Sequence, residues 1–204
     1  MANTAAGGGD ADIVATWNVP MSDKLYKIEF YHGTTTGKRI VKVNGRDIVR
    51  RDFLFKLVGR ELFEINSVRC AIAIEAIGIF AYEYSLQVGG KSFEKFRDQQ
   101  SKALLVWLVT VGDAPKTVQS AEGEEQLYDT RICLEKDSMD VWVNGSKAVT
   151  TGEFIDNGTK THFEVGQNIG CFIQSESSGK RNVGLVHKLF VNGVFIPSMD
   201  SSGS

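Results

Sequence analysis

The phrase Val-x-Val-Asn-Gly occurs twice in the chain, in VKVNGRDIV (Val41–Val49) and again in VWVNGSKAV (Val141–Val149). Asn-Gly between β-forming residues predicts a two-residue type I′ turn, because both central residues need a positive φ angle that Asn and Gly tolerate best. Each copy therefore predicts a tight β-hairpin. Val143 lies 100 residues after Val43, which is too far for a solenoid repeat and suits a whole small domain.

Other matched features follow the same order in the two halves of the chain. Phe63 in GRELFEI corresponds to Phe163 in GTKTHFEV, Val88 in YSLQVGG corresponds to Val191 in KLFVNG, and the matched tryptophans are Trp17 and Trp107. The run AYEYSLQV alternates apolar and polar residues, as a half-buried strand does. With 21 glycines and 3 prolines, the turn chemistry is that of antiparallel hairpins. The sequence predicts an all-β fold of two tandem, internally duplicated antiparallel β-sandwich domains.

The spacing of the repeat also predicts the domain boundaries. The polar segment Ser92–Lys102 is the predicted linker, with no helical pattern beyond a short turn. Gly112–Gln126 is rich in small and acidic residues and is predicted to be a mobile loop in the second domain. The predicted divisions are a flexible tail at 1–11, a first β-sandwich at 12–98, a second β-sandwich at 99–198 and a flexible tail at 199–204.

Composition and charge favour a cytoplasmic protein. A charged fraction of 24% and a net charge of −2 are ordinary for a globular protein. The chain has neither a signal-peptide pattern nor an apolar run of the ~20 residues that span a bilayer, so membrane insertion is not expected. The densest basic segment is interpreted as a solvated hairpin face and not as a nucleic-acid interface; its members are Lys38, Arg39, Lys42, Arg46, Arg50 and Arg51.

Motifs for catalysis, cofactor binding and metal binding are not found. GTTTGKR (Gly33–Arg39) has three residues between its glycines instead of the four of a phosphate-binding loop, and Arg39 stands where a Ser or Thr would bind magnesium. The three histidines are isolated in sequence, and the three cysteines have no zinc-ligand spacing. Cys70 lies in the alternating run CAIAIEAI and is interpreted as a small buried apolar residue. We therefore predict no catalytic, cofactor-binding or metal-binding residues.

Two segments supply candidates for contact with other proteins. In LEKDSMDVWVNG, Asp137 and Asp140 flank a turn that precedes Trp142. Strand alternation places Trp142 either in the sandwich core or on the outer face, where a tryptophan beside carboxylates would be a protein-contact anchor. In SSGKR, Lys180 and Arg181 are exposed cations that suit a phosphate or an acidic peptide.

These phrases, in this order, resemble the Fas apoptotic inhibitory molecule family. The resemblance spans nearly the whole chain and rests on KIEFYHGTTTGKR, FKLVGRE, FAYEYSL, LEKDSMDVWVNG, GEFIDNGTKTHFEVG and SSGKR. It implies a cytosolic, non-enzymatic protein that opposes death-receptor-triggered apoptosis and suppresses stress-induced protein aggregation. The implied partners are survival-signalling proteins or unfolding clients. The chain departs from the family in its longer N-terminal tail and in the acidic insertion Gly112–Gln126.

Three hypotheses about function stand at this point. The first is an interaction protein that binds its partners without an ATP cycle, since sheet edges accept added strands. The second is a small-ligand carrier, which would need a large polar-lined cavity. The third is a hydrolase with a histidine and an acidic residue paired in space, which histidines with shifted pKa values in a cleft would favour.

Overall fold

The fold is seen in a computed structural model, which describes residues 12–79, 81–111, 116–119, 125–181 and 184–199. The chain divides into two compact units. Unit 1 contains the residues up to Met21 together with Leu25–Gln100, and unit 2 contains Ser22–Lys24 and the residues from Ser101 onward. Both units are built from antiparallel sheets, so the predicted all-β, tandem sandwich class is confirmed.

Unit 1 contains two four-stranded sheets, and each of them follows the chain order. The first sheet consists of β1 (Asp12–Pro20), β2 (Leu25–His32), β3 (Arg39–Val43) and β4 (Arg46–Arg51). The second consists of β5 (Gly59–Ile65), β6 (Val68–Ala76), β7 (Tyr82–Val88) and β8 (Lys91–Ser92). The helix α1 (Phe93–Ala103) follows β8.

Unit 2 has the same plan with two additions. In each of its two larger sheets the strands lie side by side in chain order. The first sheet consists of β9 (Leu104–Val109), β12 (Thr130–Glu135), β13 (Asp140–Val143) and β14 (Ser146–Lys147). The second consists of β15 (Thr151–Ile155), β16 (Gly158–Val165), β17 (Ile169–Ser177), β18 (Leu185–Val191) and β19 (Val194–Ile196). The additions are β15 and a separate hairpin of β10 (Lys116–Gln119) and β11 (Glu125–Tyr128).

The strand registers of the two units match residue by residue. Phe63 lies opposite Cys70 in unit 1, and Phe163 lies opposite Cys171 in unit 2. Each unit buries one apolar core between its two sheets, since alternate residues of every long strand point inward. The side chains that fill both cores without solvent contact are mostly Ile, Leu and Val; the two aromatic ones are Phe30 and Trp107.

Both Asn-Gly turns have the predicted conformation and one further feature in common. The φ angles are 49° and 79° at Asn44 and Gly45, and 48° and 88° at Asn144 and Gly145, as a type I′ turn requires. The side-chain Oδ1 of Asn44 accepts a hydrogen bond from the backbone N–H of Lys27 (2.8 Å). Oδ1 of Asn144 accepts one from the N–H of Arg131 at the same distance. Each asparagine therefore ties its turn to the next strand of the sheet, a role that glycine cannot fill.

Replacing Gly45 with valine is expected to destabilise unit 1 by about 1–3 kcal/mol. A Cβ atom at this position would meet no atom within 4 Å, so the loss would measure backbone strain alone. The control is Gly152→Val, because Gly152 has equally open space, lies in β15 and has no positive φ angle. Urea unfolding followed by NMR reports the loss, read at signals of β6 for Gly45→Val in unit 1 and at signals of β17 for Gly152→Val in unit 2. If Gly45→Val and Gly152→Val change stability equally, the turn type is wrong.

The predicted linker is not a turn but an α-helix of eleven residues, α1. Its ends are favourable: Ser92 Oγ accepts from the backbone N–H of Lys95 (3.4 Å) at the N-terminus, and Lys102 lies in the last turn. Phe96 is buried in the unit 1 core and Phe93 packs against it. Two phenylalanines three residues apart on one side are enough to dock a helix, although they are too few for a clear periodic pattern. The boundary between the units falls inside this helix, after Gln100.

The acidic segment Gly112–Gln126 falls in part outside the described residues. Where the structure describes its backbone, β10 pairs with β11 in an antiparallel ladder. The prediction for Cys70 is confirmed: it is buried, as are Cys133 and Cys171. Burial raises the pKa of each of the three thiols to about 11, so they stay protonated at neutral pH.

Candidate functional site

A row of aromatic side chains crosses the outer face of the five-stranded sheet of unit 2. Strand alternation turns Cys171, Ile173 and Leu189 into the core and leaves their neighbours on the opposite face. The aromatic row consists of His162, Phe172, Phe190 and Phe195, one from each of four adjacent strands. Their ring centroids are 5.6, 4.7 and 5.8 Å apart in that order, and the rings of Phe172 and Phe190 are stacked at 13°. The row ends at Phe195, which is 52% exposed.

Charged and polar side chains form a second row beside the aromatic one. The ammonium group of Lys160 lies 5.2 Å from the ring centroid of Phe172, within cation–π range. Lys188 Nζ lies 3.3 Å from Glu176 Oε2. The side-chain amide of Gln174 also donates to Glu176, and these contacts, with the amide first, lower the pKa of that carboxyl group. The surface thus offers apolar rings next to charges of both signs, the composition of a protein-binding patch.

An open cleft of about 800 Å³ borders the aromatic row. His162 and Phe172 line it together with Lys147, Val149 and Asn192. His162 Nε2 lies 2.8 Å from Glu153 Oε2 on the neighbouring edge strand, β15. Because the cleft is open to solvent and partly apolar, it extends the exposed face and does not form the enclosed polar cavity that a small-ligand carrier requires.

Unit 1 shows that the sandwich does not need this aromatic row. The matched registers place Leu62, Ala71, Gln87 and Ser92 at the positions of His162, Phe172, Phe190 and Phe195. The equivalent face of unit 1 therefore has no aromatic side chain at any of these four positions. The shared fold as such therefore does not require aromatic side chains at these positions.

The aromatic row is not among the predicted contact residues, although the sequence contains a signal for it. Each phenylalanine of the row is adjacent in sequence to a core residue, as in CFIQ and LFVNG. In such runs both neighbours are apolar, so alternation alone does not say which one points inward. Aligning the two halves resolves the ambiguity, because Ala71 and Gln87 are not core residues in unit 1.

The predicted contact residues of the LEKDSMDVWVNG segment lie on the other sheet of unit 2. Val141 is fully buried in the core, and Trp142 is half-buried on the opposite face of β13. Of the two placements left open, Trp142 therefore takes the one outside the sandwich core. Asp140 is bound by Lys147 (2.7 Å), and Asp137 is exposed in the turn between β12 and β13. These residues do not join the aromatic row.

Lys180 and Arg181 are exposed in the loop between β17 and β18. This loop lies at the same end of unit 2 as the turn that carries Asp137. Burial is the main cause of the lowered pKa of His187 in β18, and the positive charge of Lys136 is the second cause. The turn that contains Lys136 therefore lies close to His187. The predicted acidic and basic contact residues thus share one end of the sandwich, apart from the aromatic row on its side.

Two histidine contacts bear on the hydrolase hypothesis. One is the exposed pair of His162 and Glu153 at the cleft, and the other is a serine–histidine pair inside the sandwich. Ser175 Oγ and His187 Nδ1 are 2.8 Å apart. Ser175 is buried, so a substrate does not reach its hydroxyl, and no carboxylate bonds to His187 in the part of the chain that is described. Metal ligands do not cluster either: the described residues contain no group of three or more. The pair is best understood as a satisfied polar contact inside the sandwich.

Unit 1 contains a buried polar cluster at the matching end. His32 Nδ1 and the hydroxyl of Tyr84 share a hydrogen bond of 2.9 Å, at the positions that Lys136 and His187 occupy in unit 2. Arg39 Nη1 donates to Glu61 Oε1 (2.9 Å), and both side chains are buried. The interpretation of the basic segment as a wholly solvated face is thus wrong for Arg39, which is drawn inward by a carboxylate 22 residues away.

The fold and the exposed aromatic face define a tandem β-sandwich protein with a surface suited to binding other proteins. The chain belongs to the Fas apoptotic inhibitory molecule family: the family model described as Fas apoptotic inhibitory molecule (FAIM1) matches residues 13–199. Fas apoptotic inhibitory molecule 1 of Mus musculus is 47% identical over 190 residues, which cover 92% of this chain and 98% of that protein. Fas apoptotic inhibitory molecule 1 of Homo sapiens is 45% identical over 192 residues, 93% of this chain and 99% of that protein.

Proposed function

We propose that this protein is a non-enzymatic, anti-apoptotic regulator in the cytoplasm that acts by binding other proteins. We further propose that it binds unfolding proteins and slows their aggregation without ATP. The names of the relatives support the first part, since they describe inhibitors of Fas-linked apoptosis. The observation that carries the binding role is the aromatic row of unit 2, which has no counterpart at the matched positions of unit 1.

The contacts of this surface suggest how an unfolded segment would be held. β15 is the first strand of its sheet, so its outer backbone groups are open to an added strand. A client strand paired there would lie next to Glu153 of β15. The rest of the client segment would have to cross the outer face of the sheet to place apolar side chains on Phe172 and Phe190, which lie two and three strands beyond β15. Lys160, Lys188, Glu153 and Glu176 would keep the surface soluble while it is empty.

Replacing both Phe172 and Phe190 with alanine is expected to impair aggregation suppression. Loss of about 1 kcal/mol or more of binding free energy would raise the amount needed for half-suppression at least about fivefold. The measurement is light scattering of a heat-denatured client at increasing ratios of this protein. We expect the intact chain to saturate near an equimolar ratio, because capture is stoichiometric, and nucleotide to change nothing.

The matched control changes the equivalent face of unit 1, in the variant Leu62→Ala, Gln87→Ala. It should suppress aggregation as the intact chain does. Phe195→Ser tests the same surface at its most exposed ring, where the fold is least affected. The proposal fails if the control variant loses as much activity as the aromatic variants. It also fails if an inert β-sandwich of equal size suppresses aggregation equally well.

A further inference from the structure

Three loops meet at one end of unit 1, and two of them carry exposed apolar side chains. They are residues 33–38 between β2 and β3, 52–58 between β4 and β5, and the described residues 77–79 and 81 between β6 and β7. The first two are joined by a hydrogen bond from the N–H of Leu54 to the carbonyl of Thr36 (3.1 Å). The second and third flank one apolar groove, which Val58 and Ala76 both line.

The apolar side chains at the tips of these loops are almost fully exposed. Phe55 is 95% exposed and Ile79 is 88% exposed. Phe53 and Ile77 also stand out into solvent, and the rings of Phe53 and Phe55 contact each other at 5.0 Å, edge to face. Single exposed apolar residues are common on protein surfaces, but four of them grouped at one end mark an interaction site.

The loop that carries the two phenylalanines is held in place from below. Arg39 Nη2 donates to the carbonyls of Lys56 (2.7 Å) and Val58 (3.1 Å), while its Nη1 is paired with Glu61. The loop 77–81 is closed by a hydrogen bond from the N–H of Ile77 to the carbonyl of Ala81 (3.0 Å). These contacts fix the backbone with Phe53 and Phe55 on the solvent side and Leu54 turned inward. The phenylalanines are thus presented outward by a preorganised loop.

The charges around the tips are mostly positive. Asp52 is the one acidic residue in the sequence of the three loops, and Arg50 binds it at 3.1 Å. Arg51 and Lys56 remain exposed beside the phenylalanines, and Arg60 is exposed at the base of the loop. Other acidic residues at this end lie on the strands and not at the loop tips: Glu61 of β5 is 3.9 Å from Arg51, and Glu75 of β6 is paired in register with Glu83 of β7.

We propose that this end of unit 1 docks on the surface of membranes that contain anionic lipids. Phe53, Phe55, Ile77 and Ile79 would enter the boundary between headgroups and acyl chains, and Arg51 and Lys56 would contact the anionic headgroups. The proposed contact is peripheral, because it involves only the side chains at the loop tips. The apolar side chains stand on protruding tips whose backbone is already hydrogen-bonded. Such a surface fits a soft lipid phase better than a rigid protein groove or an added strand.

Vesicle sedimentation of the full chain tests this proposal. The vesicles contain phosphatidylcholine alone or with about 30% phosphatidylserine, a strongly anionic surface. We expect binding to the anionic vesicles at least about fivefold above the neutral ones, weakened by added salt because the headgroup contacts are screened. The variant Phe55→Ser, Ile79→Ser should lose at least about fivefold of this binding. Lys56→Glu should reduce binding to the anionic vesicles alone.

The control is Leu62→Ser, which removes another largely exposed apolar side chain (72%) from the middle of β5, away from the loop tips. It should bind anionic vesicles as the intact chain does. Equal binding of the intact chain to both kinds of vesicle overturns the proposal. So does a Leu62→Ser loss as large as that of the loop variant. If the loop variant retains vesicle binding but loses a protein partner, these loops belong to a protein interface instead.

Discussion

Replacing Glu61 with alanine is expected to lower the free energy of unfolding of unit 1 by about 3–5 kcal/mol. Arg39 and Glu61 are only 4% and 7% exposed in their side chains, so the variant would leave a guanidinium group buried without its counter-ion. Arg51, whose Nε lies 3.9 Å from Glu61 Oε2, cannot replace the lost carboxylate, because it is itself positively charged. The buried arginine would then either stay unpaired or pull loop 52–58 out of place.

Residue-resolved urea unfolding by NMR checks this expectation, because signals of β6 report on unit 1 and signals of β17 on unit 2. Only the β6 signals should move. The control is Glu64→Ala, which breaks the exposed pair with Arg69 (3.8 Å) and should cost at most about 1 kcal/mol. A change below about 1 kcal/mol for Glu61→Ala would show that the pair is not buried in solution.

A double variant separates the two tasks of Arg39. Replacing Arg39 with methionine and Glu61 with leucine removes both charges, and well-packed apolar pairs often restore the stability lost when a buried ion pair is broken. Here we expect incomplete recovery, because the carbonyls of Lys56 and Val58 lose their donor. Faster amide exchange in residues 52–58 would accompany the change.

The parts of the fold that follow from local chemistry are the parts that the sequence predicts well. Asn44-Gly45 and Asn144-Gly145 determine their own φ angles, and alternation determines which side of a strand is polar. The helix α1 is the opposite case. Its formation depends on Phe93 and Phe96 docking against a core that is assembled from distant strands, and short-range patterns contain no information about that core.

Site residues that depend on contacts between distant strands are likewise not predicted by short-range sequence patterns. Arg39 reads as one more exposed cation until the fold brings Glu61 beside it. The aromatic row is invisible in any single strand, because its four members come from four strands and become neighbours only through sheet pairing. Trp142 shows the limit of alternation: the pattern says that it and Val141 face opposite ways, and packing decides which of them enters the core.

His32 is the residue through which pH is expected to act on unit 1. Its ring is buried between Phe30, Tyr82 and Tyr84, and burial, followed by the charge of Arg39, lowers its pKa from 6.5 to about 4. Tyr84 adds no charge in this range, because burial raises its pKa to about 12. In the unfolded chain the imidazole would take up a proton near pH 6.5, whereas the folded unit resists protonation until much lower pH.

Stability therefore falls as the pH falls through this window, because the unfolded state binds more protons than the folded state. The contribution of His32 is fully present above about pH 6.5 and is lost by about pH 4, a change of about 3 kcal/mol in unit 1.

NMR titration of the His32 ring gives its folded pKa directly, and urea unfolding read at β6 gives the stability at each pH. His32→Gln is the matched variant. It is expected to lower stability at pH 7.5, because the ring is removed from the core. It should also abolish the part of the pH dependence that His32 causes, so that stability changes less steeply with pH and only the carboxylates contribute. The expectation is wrong if the slope between pH 6.5 and pH 4 is the same with glutamine at position 32. A folded pKa near 6.5 would equally contradict an imidazole that burial keeps neutral.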